Sequence, residues 1–203
     1  MRTRSELALR VLQTAQQMLT ENIKALTLAE ALDAAGGYRS VLGILKHTAS
    51  WSHVYHSYAF DREPTHLNTL AWPRGLRDTI ETTQEYLDLV VAWLKESFAL
   101  WEASVGSTAE EEFDEARLLH WGEKAPLFDI IVLNAGHWTY HTGELNEILA
   151  IVRGEAWVYT EEVEENHIST AGHRLSAGWM TDEHRKAYEE HLARRDKELH
   201  GKG

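Results

Sequence analysis

Two histidines, His137 and His141, stand four residues apart in an apolar stretch of the chain and could share a metal ion. If this stretch is helical, both imidazoles leave the same face, because side chains at positions i and i+4 are about 5–6 Å apart between their Cβ atoms. Two imidazole nitrogens at that separation are able to bind one metal ion. The rest of the chain must then supply the remaining ligands.

The spacing of these two histidines is weak support for a metal site when it is taken alone. The chain contains 12 histidines among 203 residues, so about 0.65 such pairs are expected by chance, a false-positive risk that every short motif carries. The context is more informative, because apolar residues recur at steps of three and four over residues 127–152 and place both histidines on the stripe that should face the core. We therefore predict a helix over residues 126–154, opened by Pro126, with two inward-facing histidines.

The elements that must position these histidines are also predicted to be helices. The chain has only 3 prolines and long stretches of Leu, Ala, Glu, Gln and Lys, and it lacks the alternating β-branched runs of an all-β protein. Apolar periodicity predicts three further long helices, over residues 5–19, 41–59 and 76–105, with Ser40 as the N-cap of the second. Four long amphipathic helices favour an all-α four-helix bundle.

A chain of 203 residues suits a single domain with one sizeable core. We assign the core bundle to residues 5–153 and a C-terminal extension to residues 154–203. The extension begins with an irregular excursion that contains His167 and His173, and it is predicted to end in a polar, peripheral helix. Residues 107–126 are predicted to form an acidic, irregular insert.

The composition argues against several classes of function. A formal net charge of -12 opposes nonspecific attraction to nucleic acids and to anionic membranes. The chain has no cysteine, which excludes zinc-thiolate sites and a cysteine nucleophile, so any metal must be held by His, Asp or Glu. It also lacks a signal-peptide core and a run of about 18 apolar residues. We expect a cytoplasmic protein with neither nucleic-acid nor membrane partners.

A third metal ligand is expected from the second predicted helix. His47 lies at the edge of the inward stripe of this helix, whereas His53 and His56 lie off the stripe and are predicted to be solvated. His120, in the insert, is a weaker reserve ligand. One histidine of the second helix and the pair on the fourth would give three neutral nitrogen donors and leave one or more coordination positions open. Zinc or nickel suits such a set, and iron, cobalt and copper are also compatible.

Two familiar metal-site patterns do not fit this sequence. A ferritin-like di-iron site needs Glu-x-x-His on two helices, but that spacing occurs only at Glu63–His66 and Glu164–His167, both in predicted loops. A zincin needs His-Glu-x-x-His with the glutamate as general base, and Trp138 occupies the place of that glutamate. Metalloprotease chemistry is therefore disfavoured.

Two segments of the sequence resemble the DinB-like metalloprotein superfamily. They are residues 40–47 (SVLGILKH) and, far downstream, residues 137–145 (HWTYHTGEL), in which Gly-Glu-Leu matches the Gly-Gln/Glu-Leu that commonly follows the second histidine of the pair. The resemblance covers about residues 5–153. It implies an up-down-down-up four-helix bundle with a three-histidine metal site.

The resemblance also implies the ligands and the activity. It makes His47, His137 and His141 the metal ligands. Relatives include thiol S-transferases that use bacillithiol or mycothiol and a mycothiol-dependent maleylpyruvate isomerase. The implied function is a metal-dependent enzyme that lowers the pKa of a low-molecular-weight thiol and presents the thiolate to an electrophile. Homodimers are common among these proteins, so a homodimer is also an expectation.

Further residues are candidates for the site, each with an alternative. Glu144 could hold a ligand imidazole, take part in proton transfer, or be an ordinary carboxylate on the helix surface. Trp51, Tyr55, Asn134 and Trp138 are candidate walls of a substrate pocket, with packing in the core as the alternative for each.

Two other functions remain open at this stage. The first is a metal-binding or stress-associated bundle without catalysis, such as a ligand carrier or an interaction protein, whose sequence would look almost the same. The second is a metal-dependent hydrolase, which would need an Asp or Glu near the open coordination position, free to act as a base on a bound water.

Overall fold

The computed structural model describes residues 3–34, 39–76 and 81–153. These residues fall within one compact unit, Met1–Val158. The C-terminal extension of residues 154–203 lies outside the described residues, and so do its predicted excursion, its predicted helix, His167 and His173.

The described residues are mainly helical, which confirms the all-α fold expected from the sequence. Four of the five α-helices are long, and a 3-10 helix and a small hairpin lie between the last two. In chain order the elements are α1 (Arg4–Ile23), α2 (Leu28–Leu32), α3 (Val41–Phe60), α4 (Gln84–Ser107), the 3-10 helix Glu110–Asp114, β1 (Ala116–Leu118), β2 (Lys124–Pro126) and α5 (Leu127–Val152).

The four long helices pack as a bundle. Helix α5 lies against α1 and α3, and α4 lies against α3 and α1. The core between them is filled by large side chains that are almost fully buried, among them Phe98, Trp101 and Trp138. Because α3 and α5 are neighbours, side chains from one can meet side chains from the other inside the bundle.

Side-chain caps explain where three of the helices begin. Thr3 and Glu6 form a reciprocal capping box at the start of α1. The hydroxyl of Ser40 accepts a hydrogen bond from the backbone N–H of Gly43 at 3.1 Å, which confirms Ser40 as the N-cap of α3. The hydroxyl of Thr83 likewise accepts from the N–H of Tyr86 at 3.2 Å.

The cap at Thr83 corrects the prediction of a helix over residues 76–105. Helix α4 begins at Gln84. Leu76 lies in a turn that includes Gly75, whose φ of 89° favours glycine. Leu76 is nevertheless fully buried. The apolar periodicity was thus produced partly by a core residue that reaches the bundle from a turn.

The prediction of an irregular insert over residues 107–126 is also wrong in part. The 3-10 helix buries Phe113 completely, and β1 pairs with β2 in an antiparallel hairpin with Ala116 opposite Pro126. Strands of three residues are too short for a period-two pattern to stand out in the sequence. The tip of the hairpin, residues 119–123, carries His120 and includes Gly122 at a φ of 94°.

None of the helices in the described part of the chain is long and apolar enough to cross a membrane.

Candidate metal centre

Helices α3 and α5 bring three histidines together inside the bundle. The Nε2 atom of His141 is 3.0 Å from Nε2 of His137, which in turn is 3.5 Å from Nε2 of His47. One nitrogen of each ring lies within 4.8 Å of one nitrogen of the other two. We refer to His47, His137 and His141 as the histidine cluster.

The separations of these nitrogens suit a common metal ion. Two nitrogens that each lie about 2.1 Å from an ion in a tetrahedral arrangement are about 3.4 Å apart. The two Nε2 contacts in the cluster, 3.0 and 3.5 Å, fall close to this value. The cluster therefore has the donor type and the spacing of a three-histidine metal site.

A neighbouring carboxylate determines which nitrogen of His141 is free. The Nδ1–H of His141 donates a hydrogen bond to Oε2 of Glu144 at 2.5 Å, and the His141 side chain is only 2% exposed. With its proton on Nδ1, the neutral ring presents a lone pair at Nε2, toward His137. A carboxylate behind a ligand histidine is the usual second partner in metal sites, where it fixes the tautomer and the orientation of the ring.

His137 supports the same interpretation. Its Nδ1 atom is buried and has no hydrogen-bond partner among the described residues. Its other nitrogen faces the lone pair of His141, so this face of the ring needs either a proton or a cation to avoid repulsion between lone pairs. A metal ion would accept the lone pairs of both Nε2 atoms at once.

The environment keeps the clustered imidazoles neutral, which is the form that binds metals. Burial, with the neighbouring imidazoles and Arg39, lowers the pKa of His137 to about 3. Burial and the charges of His141 and Arg39 lower the pKa of His47 to about 4, against an opposing effect of Glu144. Burial also lowers the pKa of His141, although the hydrogen bond to Glu144 opposes this shift.

A sequence model of the DinB superfamily matches residues 12–145, more than half of the chain and a range that includes the whole histidine cluster. The chain belongs to the DinB superfamily. Its fold is similar to that of a conserved protein from Enterococcus faecalis, whose crystal structure aligns with a TM-score of 0.56 and 21% identity over 76% of this chain and 99% of that one. No curated protein matches the sequence.

Two aromatic residues predicted as pocket walls lie beside the cluster of this DinB-superfamily protein. The ring of Trp51 is 6.2 Å from that of His47, between centroids, and the ring of Tyr55 meets that of His137 edge-on at 5.5 Å. Trp51 and Tyr55 also contact each other at 5.5 Å. Trp51 also lines an aromatic cleft of about 530 Å³.

The other two predicted wall residues, Asn134 and Trp138, are packed in the core. Both are fully buried, and Trp138 packs edge-on against Phe98 with centroids 4.7 Å apart. Neither side-chain polar atom of Asn134, nor Nε1 of Trp138, has a hydrogen-bond partner among the described residues. The structure thus places these two residues with the hydrophobic packing.

A second, charged cavity of about 430 Å³ adjoins the cluster on the side of Glu144. Arg39, Glu144 and Glu147 line it together with apolar side chains of α3 and α5. Sequence reasoning missed Arg39, which stands one residue before the cap of α3 and acts on the imidazoles through its charge. In the sequence, only its positive charge and its position next to the predicted cap Ser40 could have indicated Arg39.

Two histidines of α3 that were predicted to be solvated are not. His56 is buried, its Nε2 lies 2.8 Å from the hydroxyl of Ser104, and its ring packs edge-on against Trp101. His53 is half-buried and stacks on Trp93 with centroids 5.0 Å apart. The prediction failed because α3 is covered by α4, α5, α2 and β1, so that it has no single inward stripe. We call this pair the core histidines.

His120, the reserve ligand, is not part of the histidine cluster. The hairpin tip holds its ring against Trp51, with centroids 4.7 Å apart, and against Tyr55 at 5.5 Å. Burial lowers its pKa, and its Nδ1 has no hydrogen-bond partner among the described residues. His120 therefore lies one aromatic ring away from the cluster.

Proposed function

We propose that this DinB-superfamily protein is a metal-dependent enzyme that activates a low-molecular-weight thiol, such as mycothiol or bacillithiol, for S-transfer or isomerisation. The observation that carries the proposal is the convergence of three imidazole Nε2 atoms, 3.0 and 3.5 Å apart along the cluster, with His141 held from behind by Glu144. Such a set leaves a coordination position for a further group.

In this proposal His47, His137 and His141 hold a divalent metal, zinc or nickel by ligand type. When bound, the cation would raise the thiolate fraction of a thiol at neutral pH. The chain itself keeps the three rings unprotonated through burial and the charge of Arg39. Glu144 acts as a positioning residue, because its carboxylate accepts the Nδ1 proton of His141 and fixes that ring.

S-transfer consumes one thiol and one electrophile, whereas in isomerisation the thiolate adds to a carbon–carbon double bond of the substrate and is released again by elimination. In S-transfer the thiol gives up its proton to solvent, a bond forms between sulfur and a carbon of the electrophile, and the bond from that carbon to the leaving group breaks. The leaving group departs with the electron pair. Trp51 and Tyr55 pack against His47 and His137 and place apolar surface on this side of the cluster.

A hydrolase is less well supported by the arrangement around the cluster. Hydrolysis would need a carboxylate free to accept a proton from a bound water. Glu144 is already engaged with His141 at 2.5 Å. A metal-binding carrier without turnover is the other alternative, and activity measurements distinguish it from the enzyme.

The test combines metal analysis with a thiol-consumption assay. Purified protein should contain about one divalent metal ion per cluster, and His47→Ala, His137→Ala and His141→Ala should each lose it, while the matched control His53→Ala keeps it. With metal, thiol and a chlorinated aromatic electrophile, wild-type protein and the control should consume thiol. Metal retained by all three cluster variants would overturn the site, and bound metal without turnover across mycothiol, bacillithiol and glutathione would support the carrier instead.

A further inference from the structure

An aromatic cleft lies beside Trp51, which also contacts His47 of the histidine cluster. Its volume is about 530 Å³, within the range of small-molecule sites. Five of its lining residues carry rings: Trp51, Tyr58, His66, Trp72 and His120. They come from one face of α3, from the loop between α3 and α4, and from the hairpin tip, so three separate segments of the chain enclose one space.

The cleft is free of formal charge in its lining. No aspartate, glutamate, lysine or arginine is among the described residues that line it. Lys46 lies 5.4 Å above the ring of Trp72, but it does not line the cleft. The cavity beside Glu144 is different, because Arg39, Glu144 and Glu147 all line it. A charged ligand would lose water in the aromatic cleft without gaining an opposite charge.

Two of the polar side chains in the lining form a hydrogen bond with each other. The hydroxyl of Tyr58 and Nδ1 of His66 lie 2.7 Å apart and satisfy each other. His120 is different, because it forms no hydrogen bond within the described residues and its Nδ1 is buried without a partner. Because Nδ1 is buried, Nε2 is the nitrogen of this imidazole that is left for a ligand in the cleft.

The cleft also adjoins the cluster. Trp51 contacts the ring of His120 at 4.7 Å and that of His47 at 6.2 Å, between centroids. Tyr55 contacts both His120 and His137 at 5.5 Å. The His120 end of the cleft is thus bordered by rings that also contact the cluster.

We propose that the aromatic cleft binds the electrophilic substrate and selects an uncharged molecule that carries an aromatic ring and a polar substituent, which hydrogen-bonds to His120. This inference rests on the proposed function, since it assigns the second substrate of that reaction. The rings of Trp51 and Trp72 supply flat apolar surfaces for stacking. The absence of lining charge disfavours an anionic or cationic electrophile.

The binding test uses the full chain without metal and without thiol, so that it does not depend on turnover. The probe is 4-nitroanisole, an uncharged aromatic compound with a hydrogen-bond acceptor, and 4-nitrobenzoate is its anionic counterpart. Calorimetry or ligand-observed NMR should show binding of 4-nitroanisole and binding of 4-nitrobenzoate that is at least about tenfold weaker. Equal or tighter binding of the anion would overturn the inference.

Variants test the assignment of His120. His120→Ala should weaken the binding of 4-nitroanisole about tenfold, which corresponds to the loss of one hydrogen bond. His120→Asn retains a polar amide and should recover part of this loss. Leu118→Ala is the matched control, because Leu118 is exposed on the same hairpin and its replacement should leave binding unchanged. Trp72→Leu should weaken binding while it retains an apolar side chain. Wild-type affinity in His120→Ala and Trp72→Leu together would overturn the cleft assignment.

A second arm separates this inference from the proposed function. Metal-loaded protein with thiol is given 1-chloro-2,4-dinitrobenzene or, in parallel, the charged aliphatic electrophile iodoacetate. Preference for the aromatic compound supports both proposals. Preference for iodoacetate, with no binding of 4-nitroanisole, overturns the cleft and leaves the thiol chemistry standing. Selective binding of 4-nitroanisole without any turnover supports the cleft and overturns the thiol chemistry.

Discussion

The histidine cluster and the core histidines share several properties but differ in where their nitrogens point. Burial lowers the pKa of every member, to about 4 for His47 and also for His56. His56 and His53 direct a nitrogen to Ser104 and to the carbonyl of Trp93, respectively. The nitrogens of the cluster face one another instead. Burial and a low pKa therefore do not identify a metal ligand, whereas convergence of unpaired nitrogens does.

The largest difference between the two groups should appear when a ring is removed. His137→Ala takes away one of three converging donors. We therefore expect metal affinity to fall by more than about 100-fold, beyond the loss typical when a group that only hydrogen-bonds to a ligand is changed. Competition with a chromogenic chelator measures this affinity. His56→Ala should change it by less than about twofold, and a comparable loss of affinity in both variants would remove the distinction between the groups.

A smaller effect is expected from the carboxylate behind the cluster. Glu144→Ala removes the acceptor of the His141 Nδ1 proton, and metal affinity should fall about 10- to 100-fold. Glu144→Gln keeps an acceptor oxygen and should lose less. Glu147→Ala, which alters the same charged cavity but holds no imidazole, is the control. If Glu144→Ala binds metal as tightly as wild type, Glu144 is a surface carboxylate.

The pH dependence of the free energy of unfolding should show the contribution of the core histidine His56. The pKa of His56 is near 6.5 in the unfolded chain and about 4 in the fold, chiefly through burial. As the pH falls below 6.5, His56 therefore takes up its proton in the unfolded chain before it does so in the fold. Its contribution to the free energy of unfolding is complete above pH 6.5 and is lost as the pH falls to about 4. As the pH falls from 6.5 to about 4, the free energy of unfolding of metal-free protein, measured with urea, should decrease in both proteins. The decrease should be roughly 1–3 kcal/mol smaller in His56→Gln than in wild type. Parallel pH profiles would contradict this assignment.

The smallest effect is expected at His53. His53→Ala removes a half-buried ring that stacks on Trp93, so the free energy of unfolding should fall by about 0.5–1.5 kcal/mol. Metal content should stay at the wild-type level, measured on the same preparation. Loss of the metal from this variant would mean that the two groups of histidines are coupled.

The sequence predicted the positions that regular helices control. The i, i+4 spacing and the apolar stripe of α5 placed His137 and His141 on one side of a helix, and the two rings meet at 3.0 Å. The all-α bundle and the cap at Ser40 are confirmed. These features depend on local periodicity, which is readable from one segment at a time.

Features that depend on several segments were not predictable in the same way. The bond between Glu144 and His141 was one of three alternatives, because the orientation of a side chain on a helix surface depends on its neighbours. The burial of His56 reflects packing of α3 by four other elements. His120 reaches Trp51 only through a hairpin whose strands are three residues long. Tertiary packing determines these three contacts, and the periodicity of a single segment does not predict tertiary packing.

The hairpin tip supplies one wall of the proposed cleft, and this wall can be changed without altering the metal ligands. All three clustered histidines belong to long helices, whereas His120 belongs to residues 119–123 at a hairpin tip. Loop tips accept changes in sequence and length more readily than bundle helices do. Residues 119–123 are therefore suited to randomisation. A library of variants confined to them should vary the range of molecules that bind in the cleft while the metal-binding residues stay constant.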